Sequence, residues 1–490
     1  MNVNLVLLNS LLFKQKKYII IMILYDNIHG YIDIDPIATS IIDTPIFQRL
    51  RSIHQTGVLY LVYPTANHSR FEHSIGTYHL AKKMITSIAT KQPELNITNE
   101  LVQLVSIAGL CHDLGHLLFS HLFDDCFLPR LSNYQDLCNK TNNVHHENRS
   151  IVLLNYMVER YKISLSKYQL KVIADLINPK TSEYSKWKPQ YMVGKWIFQI
   201  ISNPLNSIDV DKFDYLTRDT KAVGLKIGFD YSRIINDARV INHNGKQIIC
   251  YSTQCNEDIY HMFFLRYRLH RQIYNNKTIK AVEILILKLL FEIEKTHNIS
   301  NYILEPENML KLIDSLIYQD FPEIKDTLEQ LATRKLPQMV FQDISLNPID
   351  FDINLLSQFD KSSYEIIQFK VGYVGGKSNP LNKITFYDTI DTMSRGNKEK
   401  IIQNELFDTH TTKGCIVSPL KRDLSHNIDT LVLSENKVRD FSLLINQKHQ
   451  EYFYRIYCTD LSKLQMMKDV LLNQGGCDIK INTLDLSDEK

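Results

Sequence analysis

Residues 109–121 read GLCHDLGHLLFSH, and this stretch decides the fold. Apolar residues recurring at three and four (Leu104, Val105, Ala108, Cys111) predict a helix over 101–123. His112 and Asp113 sit at the end of that apolar run, immediately before Gly115. Polar groups in such surroundings need partners. Adjacent helical residues point roughly 100° apart, so the pair can converge on one ion only if other helices supply further ligands. Upstream, His73 in SRFEHSIG is a candidate; downstream, an aspartate is required. Ten of the seventeen histidines fall between His29 and His146, about a quarter of the chain. Interleaved with carboxylates, such a cluster points to a metal or phosphate site.

Working outward, SIDVDKFDYLTRD (207–219) supplies the aspartate. Asp211, Tyr215 and Asp219 lie at i, i+4 and i+8, which makes one stripe of acid, phenol and acid with Lys212 beside it. Alone, the stripe also fits a solvated, salt-bridged surface. A third stripe, in FFLRYRLHRQIYNNK (263–277), sets Arg266, His270 and Tyr274 at the same spacing. Arg266 can hold a phosphate with two hydrogen bonds, and Tyr274 can offer a flat wall to a sugar. Alone, it equally fits an exposed basic face.

The remaining sequence divides into two textures. Helical periodicity dominates from 26 to 295, with clear spans at 150–161, 167–178, 256–275 and 278–295, and strand-like alternation is scarce there. Later, YEIIQFKVGY (364–373), KITFYD (383–388) and EYFYRIYC (451–458) read as strands, followed by a helix over 461–472. The expected division is an N-terminal tail over 1–24, a helical domain over 25–335 and an α+β lobe over 336–490. With 44% hydrophobic and 22% charged residues the chain is not disordered, and a net charge of +2 disfavours a protein that coats nucleic acid. Eight cysteines without a CxxC pair exclude a zinc ribbon or disulfide scaffold and imply a reducing compartment, cytoplasmic or nuclear. The apolar N-terminus is interrupted by Lys14, Lys16 and Lys17, so neither a secretory signal nor a stable membrane association is expected, and Met22 is an alternative start.

Taken in order, DNIHGYIDI, IIDTPIFQRLR, SRFEHSIGTYHLA, CHDLGHLLFSHLFD, HHE, DVDKFDYLTRD and LHRQIYNNK resemble the HD superfamily of metal-dependent phosphohydrolases. The closer resemblance is to its deoxynucleoside triphosphate (dNTP) triphosphohydrolases of the SAM-and-HD-domain type. The similarity runs from about Met22 to Lys277 and more faintly to Cys458. Only about 25 residues precede DNIHG, so a catalytic core without the SAM domain is expected.

The resemblance implies a mostly α fold, an HD-domain helical catalytic core with a smaller α+β C-terminal region. It implies that His73, His112, Asp113 and Asp211 bind a divalent metal, a mixed nitrogen and oxygen set that suits iron, manganese, zinc or magnesium. His121 and His116 would serve the attack and leaving-group chemistry, supported by Asp124 and His146. Arg70, Lys212, Tyr215 and Arg266 would hold the triphosphate, beside His270; Gln55 and Asp219 the sugar 3′-hydroxyl; Tyr274 would stand where a 2′-hydroxyl would sit, and Thr56 near the base. The implied reaction splits a dNTP into deoxynucleoside and inorganic triphosphate, in a homo-oligomer, dimer or tetramer.

The resembling enzymes also bind a GTP or dNTP effector at a subunit junction, through a helix face kept here as Asp43, Gln48 and Arg51. They carry a lysine just upstream, where this chain has Met22 and Ile23. At a second effector position Arg233 and Lys277 survive, but Ser252 and Gln254 replace basic residues. Each lost cation removes a charge-assisted contact of about 1.5–3 kcal/mol, so weakened, altered or absent nucleotide activation is expected. Two other readings stand beside the dNTP hydrolase. One is an HD-type phosphodiesterase or nuclease, disfavoured by the balanced charge; the other is a catalytically silent nucleotide-binding regulator.

Overall fold

In the computed structural model, residues 22–226, 229–243, 245–373, 376–388, 432–433 and 448–473 are described. Lys14, Lys16, Lys17 and most of the expected 1–24 tail lie outside them, as do Cys415 and Cys477. The described chain opens with a hairpin, β1 (Met22–Asp26) and β2 (Gly30–Ile34), leading into helix α1 (Pro36–Ile42). The helical body follows: α2 (Arg70–Lys91), α3 (Asn99–Cys111), α4 (His146–Tyr161), α5 (Lys167–Ile177), α6 (Val210–Ala222), α7 (Asn256–Arg268) and α8 (Lys277–His297). The fold is mostly α with small sheets, as expected. Its core is one continuous set of buried apolar side chains from Ile32 to Leu336 that takes in Tyr373, Leu381, Phe386 and Tyr457 from the C-terminal region.

Two departures from the expected elements bear on the site. The helix expected over 101–123 stops at Cys111, and residues 112–121 form turns before a wider π-helical turn over Leu122–Phe127. Likewise the span expected to run to 275 changes from α7 into a π-helical turn over Leu269–Tyr274, closed by Asn275 N–H donating to His270 O at 3.1 Å. A regular α-helix drifts off its face over eight residues, and the wider turn takes up that drift. Tyr274 therefore still lines the cavity with Arg266 and His270.

Strands inside the helical region, β3 (Arg239–His243) and β4 (Lys246–Ser252), were not expected. Their partners explain why: β4 pairs in parallel with β7 (Phe386–Asp388), more than 130 residues on, and β7 pairs with β8 (Val432–Leu433). A second sheet sets β9 (Gln450–Cys458) between β5 (Gln338–Ser345) and β6 (Tyr364–Gly372), all antiparallel. Helix α9 (Leu464–Asn473) contributes Met467 and Leu471 to a small core with Val340, Tyr454 and Ile456. This sheet braces the turn that carries Tyr274: Arg455 Nη1 donates to Asn275 O at 2.6 Å and Tyr457 Oη to Lys277 O at 3.0 Å. Among the described residues, no helix is long and apolar enough to cross a membrane.

Candidate metal and phosphate site

Helix α2 starts where it does because Ser69 caps it, with Glu72 reaching back to the Ser69 N–H at 2.8 Å. That start sets Arg70 and His73 on one face, one turn apart. The turn after α3 cannot continue as helix, since its carbonyls are taken by two buried arginines. Arg49 donates to Leu114 O at 2.6 Å and His116 O at 3.1 Å, and Arg149 to Gly115 O at 2.7 Å. Gly115 also has to be glycine: a Cβ there would stand 2.2 Å from His146 O, the first residue of α4. The close approach stacks the His116 and His146 rings at 4.0 Å.

His73, His112 and Asp211 converge from α2, the end of α3 and α6, with ligand atoms within 4.8 Å of one another. Asp113 joins them: its carboxylate oxygens lie 3.5 Å from His73 Nε2 and 3.3 Å from His112 Nε2. The Nε2 atoms of His73 and His112 are buried and lack a hydrogen-bond partner, while each Nδ1 faces an acceptor, Asp214 Oδ2 and Gly109 O, both at 2.8 Å. Such an arrangement fixes the tautomer and leaves the Nε2 lone pair for a metal. The donor set therefore fits a divalent cation. Charge supports it: burial opposes ionisation, yet His112 and Arg70 hold Asp113 well below the usual carboxylate range, and His112 and His73 do the same to Asp211. Burial would likewise depress His73, but Asp113, Asp211 and Asp214 outweigh it and, without a metal, push its pKa well above the ordinary value, so a bound cation would take the place of the proton on Nε2. Asp113, His116 and His146 form a second group of the same kind.

The three expected stripes meet around one cavity of about 530 Å³. Gln55, Thr56, Arg70, His116, His121, His146, Lys212, Tyr215, Asp219, Arg266, His270 and Tyr274 line it, with Asp113 and Asp211. Gln55 Oε1 and Thr56 Oγ1 are buried and unpartnered. Arg70 is nearly fully buried, and its guanidinium binds Asp113 and, at 2.9 Å, Ser120 Oγ, so it touches the metal cluster as well as the cavity. Asp124 sits behind the histidines, 3.5 Å from His146 Nδ1 and paired with Arg149 at 2.5 Å. Burial, Arg70 and His146 push His116 well below the ordinary histidine value, so it is neutral. His121 is 64% exposed at the cavity, and Asp125, 3.4 Å from its Nδ1, raises its pKa above the ordinary histidine value. Tyr274 Oη donates to Asp219 Oδ2 at 2.5 Å and His68 Nε2 meets Oδ1 at 2.6 Å; burial first, then Asp219, keeps the phenol protonated.

Several residues around the site carried no sequence signal. Asp214 anchors His73 and is itself held by His29 Nε2 at 2.6 Å and by Arg218 at 2.9 Å. Asp314 and Arg149 are further examples, whereas His68 and Arg49 fall within the histidine cluster and the IIDTPIFQRLR motif but carried no implied role. The residues expected to bind an effector lie elsewhere on the surface. Asp43 ends α1, Arg51 donates to Gln48 Oε1 at 2.8 Å and lies over the Phe71 ring, Arg233 stands 3.5 Å from Asp258 and Gln254, and Lys277 is exposed.

Residues 70–219 match the HD domain family. Over 407 residues the chain is 32% identical to HD domain-containing protein L394 of Acanthamoeba polyphaga mimivirus, covering 74% of this chain and 84% of that protein. It is 31% identical over 476 residues to deoxynucleoside triphosphate triphosphohydrolase SAMHD1 of Danio rerio, covering 90% and 72%. To the SAMHD1 homolog of Dictyostelium discoideum it is 33% identical over 389 residues, covering 76% and 71%.

Proposed function

The chain belongs to the family of SAMHD1-type HD-domain phosphohydrolases, and on that premise we propose that it hydrolyses dNTPs to deoxynucleoside and inorganic triphosphate. The observation that carries the reading is the meeting of the His73, His112, Asp113 and Asp211 cluster with a cavity lined by Lys212, Arg266 and Tyr215. A divalent ion held by those four residues would polarise an α-phosphate oxygen and activate water. Lys212 and Arg266 bind the triphosphate and offset charge developing on it. His121, with Asp125 beside it, holds a proton for the leaving 5′-oxygen, and neutral His116 accepts one. Gln55 and Asp219 receive the 3′-hydroxyl.

The test is to incubate the metal-loaded protein with each dNTP, with and without GTP, and to resolve the products. Release of deoxynucleoside and intact triphosphate supports the reading; nucleoside monophosphate and pyrophosphate, or no turnover, would sink it. Turnover is expected without GTP, because Met22, Ile23, Ser252 and Gln254 stand where cations would hold an effector phosphate. A steep requirement for micromolar GTP, with oligomer size rising in parallel, would overturn that expectation.

Sugar choice gives a second expected outcome. Tyr274 is fixed by Asp219 and by the π-helical turn, so its ring cannot yield to an added 2′-hydroxyl. A hydroxyl forced against that ring is crowded and unsatisfied. Tyr274→Ala should therefore narrow the preference for dNTP over NTP by roughly tenfold or more, about 1.4 kcal/mol. Unchanged discrimination with retained turnover would assign the sugar check to another residue.

A further inference from the structure

Asp314 lies far along the chain from every motif of the site, yet its carboxylate is buried at 5% exposure and accepts three hydrogen bonds. Oδ1 takes the Phe119 N–H at 2.6 Å; Oδ2 takes the His54 N–H at 2.8 Å and faces His54 Nδ1 at 2.6 Å. The two segments it joins both line the cavity, one with Gln55 and Thr56, the other with Ser120 and His121. Phe119 and Ser120 have φ of 54° and 56°, consecutive non-glycine residues in the left-handed region, directly before His121. That conformation is disfavoured for L-residues and persists only where surrounding contacts impose it. Ser120 Oγ donates to His54 O at 2.8 Å, and Gly57 lies so close that a Cβ on it would come within 3.0 Å of Phe119 O.

We propose that Asp314 is a positioning residue, which stitches the 54–57 and 119–121 segments together and thereby aims His121 into the cavity. Two acceptor oxygens are needed because donors approach from both segments; an amide would turn an NH2 toward one of them. The inference rests on the proposed role of His121 in hydrolysis.

The experiment compares Asp314→Asn and Asp314→Glu with the wild type, each alone and combined with His121→Ala, in the full metal-loaded chain. Expected for Asp314→Asn is a kcat lower by about tenfold to a hundredfold, with KM and bound metal per chain nearly unchanged. In the His121→Ala background neither Asp314 variant should lower kcat further, since the two residues act as one unit. Hydrogen exchange should rise over 54–57 and 117–121 and not over 70–91. Asp314→Glu keeps the charge with the oxygens displaced, and the same pattern is expected from it. Unchanged kcat and exchange, an undiminished effect in the His121→Ala background, or loss of folding in both variants would overturn the proposal. If the wild type itself releases no triphosphate from any dNTP, the functional reading fails, while exchange over 117–121 still decides the role of Asp314.

Discussion

His112→Ala is expected to leave a folded protein that holds little metal and releases no triphosphate. The side chain contributes one hydrogen bond to the fold, from Nδ1 to Gly109 O, worth about 1 kcal/mol. What it contributes to the cluster is a buried Nε2 with no other partner. Lewis-acid stabilisation by a bound ion is worth several kcal/mol, and at 1.36 kcal/mol per tenfold a loss of ~4 kcal/mol is on the order of a thousandfold in rate. Asp113→Ala should be equally inactive but is the poorer test. Removing that carboxylate strands the Arg70 guanidinium, itself 2% exposed, and an uncompensated buried charge costs about 3–5 kcal/mol. Asp113→Asn preserves shape and a hydrogen-bond acceptor for Arg70, though not the compensating charge, and should lose metal with a smaller share of that penalty. Metal analysis, thermal melting and product release on the three variants give the answer; full turnover by His112→Ala, or by exhaustively chelated wild type, would sink the metal mechanism.

The residues that could be read from sequence are those whose geometry is local. Asp211, Tyr215 and Asp219 form a stripe because α6 is regular over Val210–Ala222, and the cavity uses that face. Asp214, between them, points off the stripe and looks like a solvated charge, yet it is wholly buried against His73, His29 and Arg218. Its one local partner, Arg218 at i+4, fits an ordinary surface pair, while His73 and His29, which bury it, stand 141 and 185 residues away. Asp314 is hidden for the same reason. The helix end at Cys111 was only half visible: His112 and Asp113 close the apolar run before Gly115, but Leu114, Leu117 and Leu118, all buried, resume the pattern, while Arg49 and Arg149 draw the backbone into turns. Strands β3 and β4 are short, and the sheet that completes them comes from β7. In each case the missing information is a pairing between distant segments, which periodicity does not carry.

Gly76→Ala reverses an ordinary rule and tests whether the buried Asp214 network holds the metal ligand. Inside a helix, alanine normally stabilises over glycine by about 1 kcal/mol, and Gly76 lies in the interior of α2, one turn after His73. Here an added Cβ would stand 1.8 Å from Asp214 Oδ1, 2.6 Å from its Cγ and 2.7 Å from Arg218 Nη2. None of these atoms can yield cheaply. Asp214 is fully buried, and it is bound at once by His29, His73 and Arg218, so moving it breaks charge-assisted contacts of about 1.5–3 kcal/mol each. Overpacking adds about 1–3 kcal/mol. The sum outweighs the helical gain, so the thermal midpoint should fall. The more telling effect is on metal: with Asp214 displaced, His73 loses the acceptor that orients its ring, and affinity should drop by about 10- to 100-fold. Titration of metal-free protein with a divalent ion, beside a melting curve, measures both. A raised midpoint with unchanged affinity would mean that α2 and α6 part without disturbing His73, and that Asp214 is not what aims it.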